Sequence, residues 1–62
     1  MRFEKFAAQR FGRDDLDRLT EEEERVLMMR RRGKSVVQVA DALSMSEATV
    51  HRRERSIRSK LL

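Results

Sequence analysis

VVQVADALSMSEATV, Val36 to Val50, is the stretch on which the reading of this chain turns. Where two helices cross at a tight turn, a small residue sits at the crossing and a turn residue follows four positions later. An aliphatic residue then anchors the second helix about ten positions on. Ala40, Ser44 and Val50 have this spacing, with Val39 and Leu43 as apolar neighbours. The first helix of the pair is predicted to begin at Ser35, whose spacing to Gln38 suits a capping box. It places Val36, Val39, Ala40 and Leu43 on one side and turns Val37, Gln38 and Asp41 outward. Ser44 stands where glycine is common, because such turns favour a backbone conformation that glycine adopts most easily.

Beyond the turn a further helix is predicted from Ser46 or Glu47 to about Leu61. On a wheel of 100 degrees per residue, Val50, Ile57 and Leu61 share one narrow stripe, which is the core side. Opposite them lie Ala48, Arg52, Arg55 and Ser59, with His51 and Arg58 on one shoulder and Thr49 and Lys60 on the other. Glu47 and Glu54 fall toward the core-side edge, so the outward ridge carries arginine and small residues without a carboxylate. Arginine's planar fork grips phosphates and binds guanine O6 and N7 bidentately, and small residues let the helix axis approach closely. The ridge therefore asks for a polyanion.

Upstream, Gly12 and Gly33 each follow helical periodicity and are read as stop signals. Between them, TEEE at Thr20 to Glu23 offers a second capping box, so a helix is predicted to start at Glu21. Its first turn holds Glu21 to Glu24 and its last Arg30 to Arg32, each run opposing the nearer end of the helix dipole. This charge pattern reads as a solvated face rather than a metal or catalytic site, and Val26, Leu27 and Met29 remain for the core. At the N-terminus, Phe3, Phe6, Ala7 and Phe11 fall within about 140 degrees of one helical face. A charged connector, RDDLDRL, follows, from which Leu16 and Leu19 can dip inward. The expectation is an all-α protein, a small four-helix domain in which an N-terminal amphipathic helix and connector (1–18) precede a three-helix helix-turn-helix unit (19–62).

At 62 residues the chain makes one small domain with a thin core. Its net charge of +4 comes from 15 basic and 11 acidic residues and is unevenly placed. Arg52, Arg53, Arg55, Arg58 and Lys60 outnumber Glu47 and Glu54 at the C-terminal end, whereas the first 45 residues nearly balance. Such an end suits a polyanion, of which nucleic acid is the commonest, although an acidic protein or an anionic membrane surface would also be attracted. There is no cysteine, which excludes disulfides and thiolate metal sites. The longest apolar run, Val26 to Met29, is far too short to span a membrane, and nothing resembles an export signal, so a cytoplasmic location without membrane association is expected. His51 has no cysteine or paired carboxylate beside it in the sequence, and DDLD lacks the glycine turn of a coordination loop, so no metal site is expected. No nucleophile with a base and no phosphate-binding glycine loop occurs, so neither catalysis nor a cofactor is expected. Met28, Met29 and Met45 read as gap-filling core residues, and Met1 only as the start.

LTEEEERVL, GKSVVQVADAL and SMSEATVHRRERSIRSKL, taken in order, resemble the successive motifs of the LuxR/GerE-type helix-turn-helix domain. The likeness covers Leu19 to Leu61 without gaps, through Thr20, Glu23, Val26, Leu27, Gly33, Ser35, Val39, Ala40, Leu43, Ser46, Thr49, Val50, Ile57, Lys60 and Leu61. The last two helices also look like region 4 of bacterial sigma factors. The resemblance implies a transcription regulator that binds double-stranded DNA, its helix at about 46–61 lying in the major groove. It puts His51, Arg52 and Arg55 where the family reads base edges, with Ala48 allowing close approach, and Thr49 and Lys60 where it holds phosphate. Lys34, Ser35, Ser46, Arg58 and Ser59 complete the expected phosphate contacts.

Three departures from the family pattern carry expectations of their own. Arg30 and Arg31 stand where aliphatic residues or alanine are usual, and their heads are expected to meet Asp14, Asp15 or Asp17. Arg53 stands where histidine is common, which suggests a role in structure. The family's dimerisation helix after the recognition helix has no counterpart before Leu62, so the phenylalanine helix (Phe3, Phe6, Ala7, Phe11) is expected either to pack on its own core or, by a slight preference, to pair two copies into a homodimer. Nor do residues 1–18 leave room for a sensor domain, which would place control in abundance or a separate partner. The alternative to DNA binding is a sigma-region-4-like module whose basic helix docks on RNA polymerase or another acidic partner.

Overall fold

Three of the helices begin where a side chain can answer the backbone N–H groups that a helix leaves open at its start. In the computed structural model, which describes residues 2–62, the Thr20 hydroxyl accepts from the Glu23 N–H and the Glu23 carboxylate accepts from the Thr20 N–H at 2.8 Å. Ser35 and Gln38 repeat the arrangement at 3.1 and 2.9 Å. Ser46 caps the last helix through the Thr49 N–H at 3.1 Å, and the two hydroxyl oxygens lie 2.9 Å apart. The helices so started are α3 (Glu21–Arg31), α4 (Val36–Ala42) and α5 (Glu47–Leu61), preceded by α1 (Phe3–Ala7) and α2 (Arg13–Leu16). No strand occurs among the described residues.

The class is all-α, as the sequence suggests, with one helical turn more than the expected four helices. The connector supplies it. Gly12 does not stop the first helix: its φ of −72° is ordinary, and it sits as N-cap of α2, its N–H donating to the Asp15 carboxylate at 3.3 Å. The first helix ends earlier, at Ala7, which leaves Phe11 beyond it. Phe11 still reaches the same cluster, because the Phe6 and Phe11 rings lie 5.4 Å apart and Phe3 and Phe6 5.6 Å apart, in tilted pairs.

α3 is the hub, packed against α1, α4 and α5. The core comprises Phe3, Phe6, Ala7, Leu19, Val26, Leu27, Val39, Ala40, Val50 and Ile57, with Leu16, Met28, Met29, Leu43, Met45 and Leu61 half-buried around it. Phe3, Phe6 and Ala7 are thus buried against the core of their own chain, the first of the two arrangements open to the phenylalanine helix. A short chain has too little other apolar matter to fill the space beside α3, so the rings go there. Met1 lies outside the described residues.

Two turns join the last three helices, and they are built alike. After α3, Gly33 takes φ +86°, with the Gly33 N–H donating to the Arg30 carbonyl at 3.0 Å and the Lys34 N–H to the Met29 carbonyl at 3.1 Å. After α4, Ser44 takes φ +55°, with the Ser44 N–H on the Asp41 carbonyl at 3.3 Å and the Met45 N–H on the Ala40 carbonyl at 2.9 Å. Both are Schellman closures, which satisfy the last carbonyls of a helix and need one left-handed residue. Ser44 therefore holds the conformation that glycine would hold, at the cost of a Cβ in the left-handed region. Ser44→Gly should raise stability by about 0.5 to 1 kcal/mol and Gly33→Ala should lower it by a similar amount, as read by thermal melting.

Candidate nucleic-acid interface

α5 lies across α3 and α4 with Val50 and Ile57 fully buried and Leu61 half-buried, the stripe expected from the wheel. Apolar contact alone would leave its rotation loosely defined. Four polar ties to α3 fix it. Arg30 Nε approaches Glu54 Oε2 at 2.9 Å, with both side chains about nine-tenths buried. Lys60 Nζ lies 2.6 Å from Glu23 Oε1, and the Ser56 hydroxyl donates to the other oxygen of Glu23. Arg53 donates to Glu22 nearer the surface.

These contacts change the assignment of several residues. Arg30 turns inward, but its partner is Glu54 and not the connector aspartates. Its Nη1 donates to the Lys34 carbonyl at 2.7 Å, Glu4 lies 3.8 Å away, and the guanidinium sits 5.9 Å from the Phe3 ring centroid. Arg31 is exposed. Arg53 has the structural role that its position suggests. Lys60 stands among the expected phosphate contacts, yet its ammonium is committed to Glu23. Glu23, grouped with the solvated charge run, is buried at 3% exposure. Burial disfavours its charge, but hydrogen bonds from Lys60, Ser56 and the Thr20 N–H outweigh that penalty and hold its carboxyl at about 2. Of the two glutamates expected toward the core-side edge of α5, Glu54 is taken fully inward and Glu47 is exposed.

Sequence reasoning missed the buried pair and the triple use of Glu23. A signal was present for each. Glu54 follows Val50 by four positions and Arg30 follows Val26 by four, so both continue apolar stripes with a charge, and opposite charges on two inward faces should meet.

On the far side of α5, Ala48, His51, Arg52, Arg55 and Ser59 are all exposed, so one helix face presents every expected base-reading residue together with one expected phosphate contact. The Nδ1 of His51 lies 3.3 Å from Glu54 Oε1. Ser46 is exposed and Thr49 half-buried at the start of α5. Lys34 and Ser35, at the start of α4, are exposed as well. Arg58, half-buried, turns toward α1, its guanidinium 5.6 Å from the ring centroids of both Phe3 and Phe6. The expected phosphate contacts are therefore divided: Lys34, Ser35, Ser46, Thr49 and Ser59 lie at helix starts or on the outer face, Lys60 faces α3 and Arg58 faces α1. Among the described residues no cluster of histidine, aspartate or glutamate has the arrangement of a metal site, and no helix is long and apolar enough to cross a membrane.

The family model described as "Bacterial regulatory proteins, luxR family" (GerE) matches residues 17–62, which comprise α3, α4, α5 and the end of the connector. No curated protein and no solved structure matches the chain.

The ties between α3 and α5 predict two stability effects. A Glu23 carboxyl held near 2, below its ordinary 4.5, contributes stability that is fully present above pH 4.5 and is lost as pH falls toward 2. The contribution is about 3 kcal/mol, so denaturant titrations should show Glu23→Gln weaker than wild type by roughly that amount at pH 7 and nearly equal to it near pH 2. Glu54→Ala should cost about 3 kcal/mol or more by leaving Arg30 buried without its anion. The double variant Arg30→Leu/Glu54→Leu should recover that loss, because a packed apolar pair needs no compensation for desolvated charge.

Proposed function

The chain belongs to the luxR family of bacterial regulatory proteins, whose members bind DNA and regulate transcription, and from that premise we propose that it is a sequence-specific regulator whose α5 lies in the major groove of double-stranded DNA. The observation that carries this reading is the segregation of charge on α5. Glu54 is drawn under the helix by Arg30, and Arg53 and Lys60 are held by glutamates of α3, while Arg52 and Arg55 stand exposed beside Ala48 and Ser59. A helix meant only for solvent has no need to draw Glu54 inward while its free-standing arginines stand outward.

In this reading Arg52, Arg55 and His51 meet base edges, and Ala48 and Ser59 permit close approach. The hydroxyls of Ser35, Ser46 and Thr49 and the Lys34 ammonium meet phosphates at the starts of α4 and α5. A hydroxyl that accepts from a cap N–H keeps its own O–H to donate, so capping and phosphate contact are compatible. Lys60 is left out of the phosphate set because Glu23 holds it. Two copies on a roughly two-fold-symmetric site belong to the same reading, and their contact has to use a surface other than the buried phenylalanine face of α1. A cytoplasmic location follows from the function.

Selection of bound duplexes from a random pool should return a two-fold-symmetric consensus. On that consensus, Arg52→Ala and Arg55→Ala should each reduce discrimination between sites by about 1 to 3 kcal/mol, whereas Lys34→Ala should weaken binding to all sequences alike. Each phosphate neutralised by a cation should add about −0.9 to the log-log salt slope, so binding should weaken as salt rises. A flat slope with no consensus would instead favour docking of α5 on RNA polymerase or another acidic protein.

A further inference from the structure

The chain has a single histidine, His51, and it stands on the outer face of α5 three positions before Glu54. That spacing brings two helical side chains together, and His51 Nδ1 lies 3.3 Å from Glu54 Oε1. Glu54 is held from behind. Its other oxygen, Oε2, is 2.9 Å from Arg30 Nε of α3, so the carboxylate is fixed under the helix while the histidine side chain remains 61% exposed. A neutral imidazole donates from one ring nitrogen and accepts at the other, whereas a carboxylate only accepts. The contact with Glu54 is therefore a hydrogen bond only when the proton is on Nδ1, which leaves Nε2 with a bare lone pair on the exposed ring. An imidazole in water without such a partner favours the proton on Nε2, so the carboxylate reverses what the ring offers a ligand.

In the major groove an acceptor pairs with an exocyclic amino group, N4 of cytosine or N6 of adenine. Guanine presents only N7 and O6 there, and thymine O4, all of them acceptors. Resting on the DNA-binding reading above, we infer that His51 reads its base through an unprotonated Nε2 and selects an exocyclic amino group, that of cytosine or adenine. Glu54 is the positioning residue: it touches no DNA and sets the polarity of the side chain that does. Arg52 and Arg55 can only donate, so a ridge of arginines alone would read acceptor edges alone. His51, polarised by Glu54, adds the complementary class of edge to the same face.

The tautomer is measured without DNA. A long-range proton–nitrogen correlation spectrum of the wild-type chain at about pH 8.5, above the usual titration range of histidine, contains one imidazole. Nδ1 should resonate as the protonated nitrogen and Nε2 as the unprotonated one, and the reverse would overturn the assignment. In Arg30→Leu/Glu54→Leu, where an apolar pair replaces the buried ions, the proton should move to Nε2. A proton that stays on Nδ1 would remove Glu54 from its role. The base contact is tested at the same pH on the duplex selected from the random pool, at the position whose preference is lost in His51→Ala. Deleting the amino group there, with purine for adenine or pyrimidin-2-one for cytosine, should weaken wild-type binding about two- to tenfold and leave His51→Ala and the double variant indifferent to the deletion. Which analogue acts identifies the base. Sensitivity to a 7-deazapurine in place of the amino deletion, or a consensus with no position dependent on His51, would overturn the contact while leaving the DNA-binding reading intact. The absence of any consensus would overturn both.

Discussion

The orientation of α5 depends on two carboxylates that have been taken out of water. Glu23 on α3 receives Ser56 and Lys60, and Glu54 on α5 meets Arg30 of α3, so an acid on each helix is answered by a cation on the other. Apolar burial of Val50 and Ile57 brings the helices together, but it is nearly indifferent to a small rotation of α5 about its axis. Buried charge is not indifferent, because a rotation that separated either pair would leave an ion without compensation in a medium of low polarity. The consequence reaches the opposite face. With Lys60, Arg53 and Glu54 engaged by α3, the arginines that remain outward are Arg52 and Arg55, about one helical turn apart and flanked by small side chains.

The crossing of α4 and α5 rests on a second constraint, the left-handed residue at Ser44. A Schellman closure redirects the chain within three residues, and Ala40 at the end of α4 is small enough to lie beneath the incoming helix. The same closure at Gly33 uses the residue best suited to it. Serine at the second turn shows that the tertiary demand, Val50 anchored while Ser46 caps α5, overrides the local preference of the backbone.

Much of this was legible in the sequence because the signals were local. Thr20 with Glu23, Ser35 with Gln38, and Ser46 before an apolar period each specify a helix start within four residues, and the triplet Ala40, Ser44, Val50 specifies the crossing. What the sequence did not disclose was set by distant partners. Phe3 and Phe6 read equally well as core or as interface, and only the vacant side of α3 decides between them. Gly12 looks like a stop until Asp15 is seen receiving its N–H. Lys60 and Arg58 sit on the shoulders of α5, where a wheel cannot tell which way a side chain turns, and Glu23 draws in the one while two phenylalanine rings receive the other.

The capping of α5 and its polar tethering both lie on residues distinct from those of its outer ridge. Ala48, Arg52, Arg55 and Ser59 contribute neither to the start of the helix nor to its seating. Substitutions along the ridge can therefore accumulate while the scaffold stays folded. Freedom of the outer face to vary is built into the way the interior was wired.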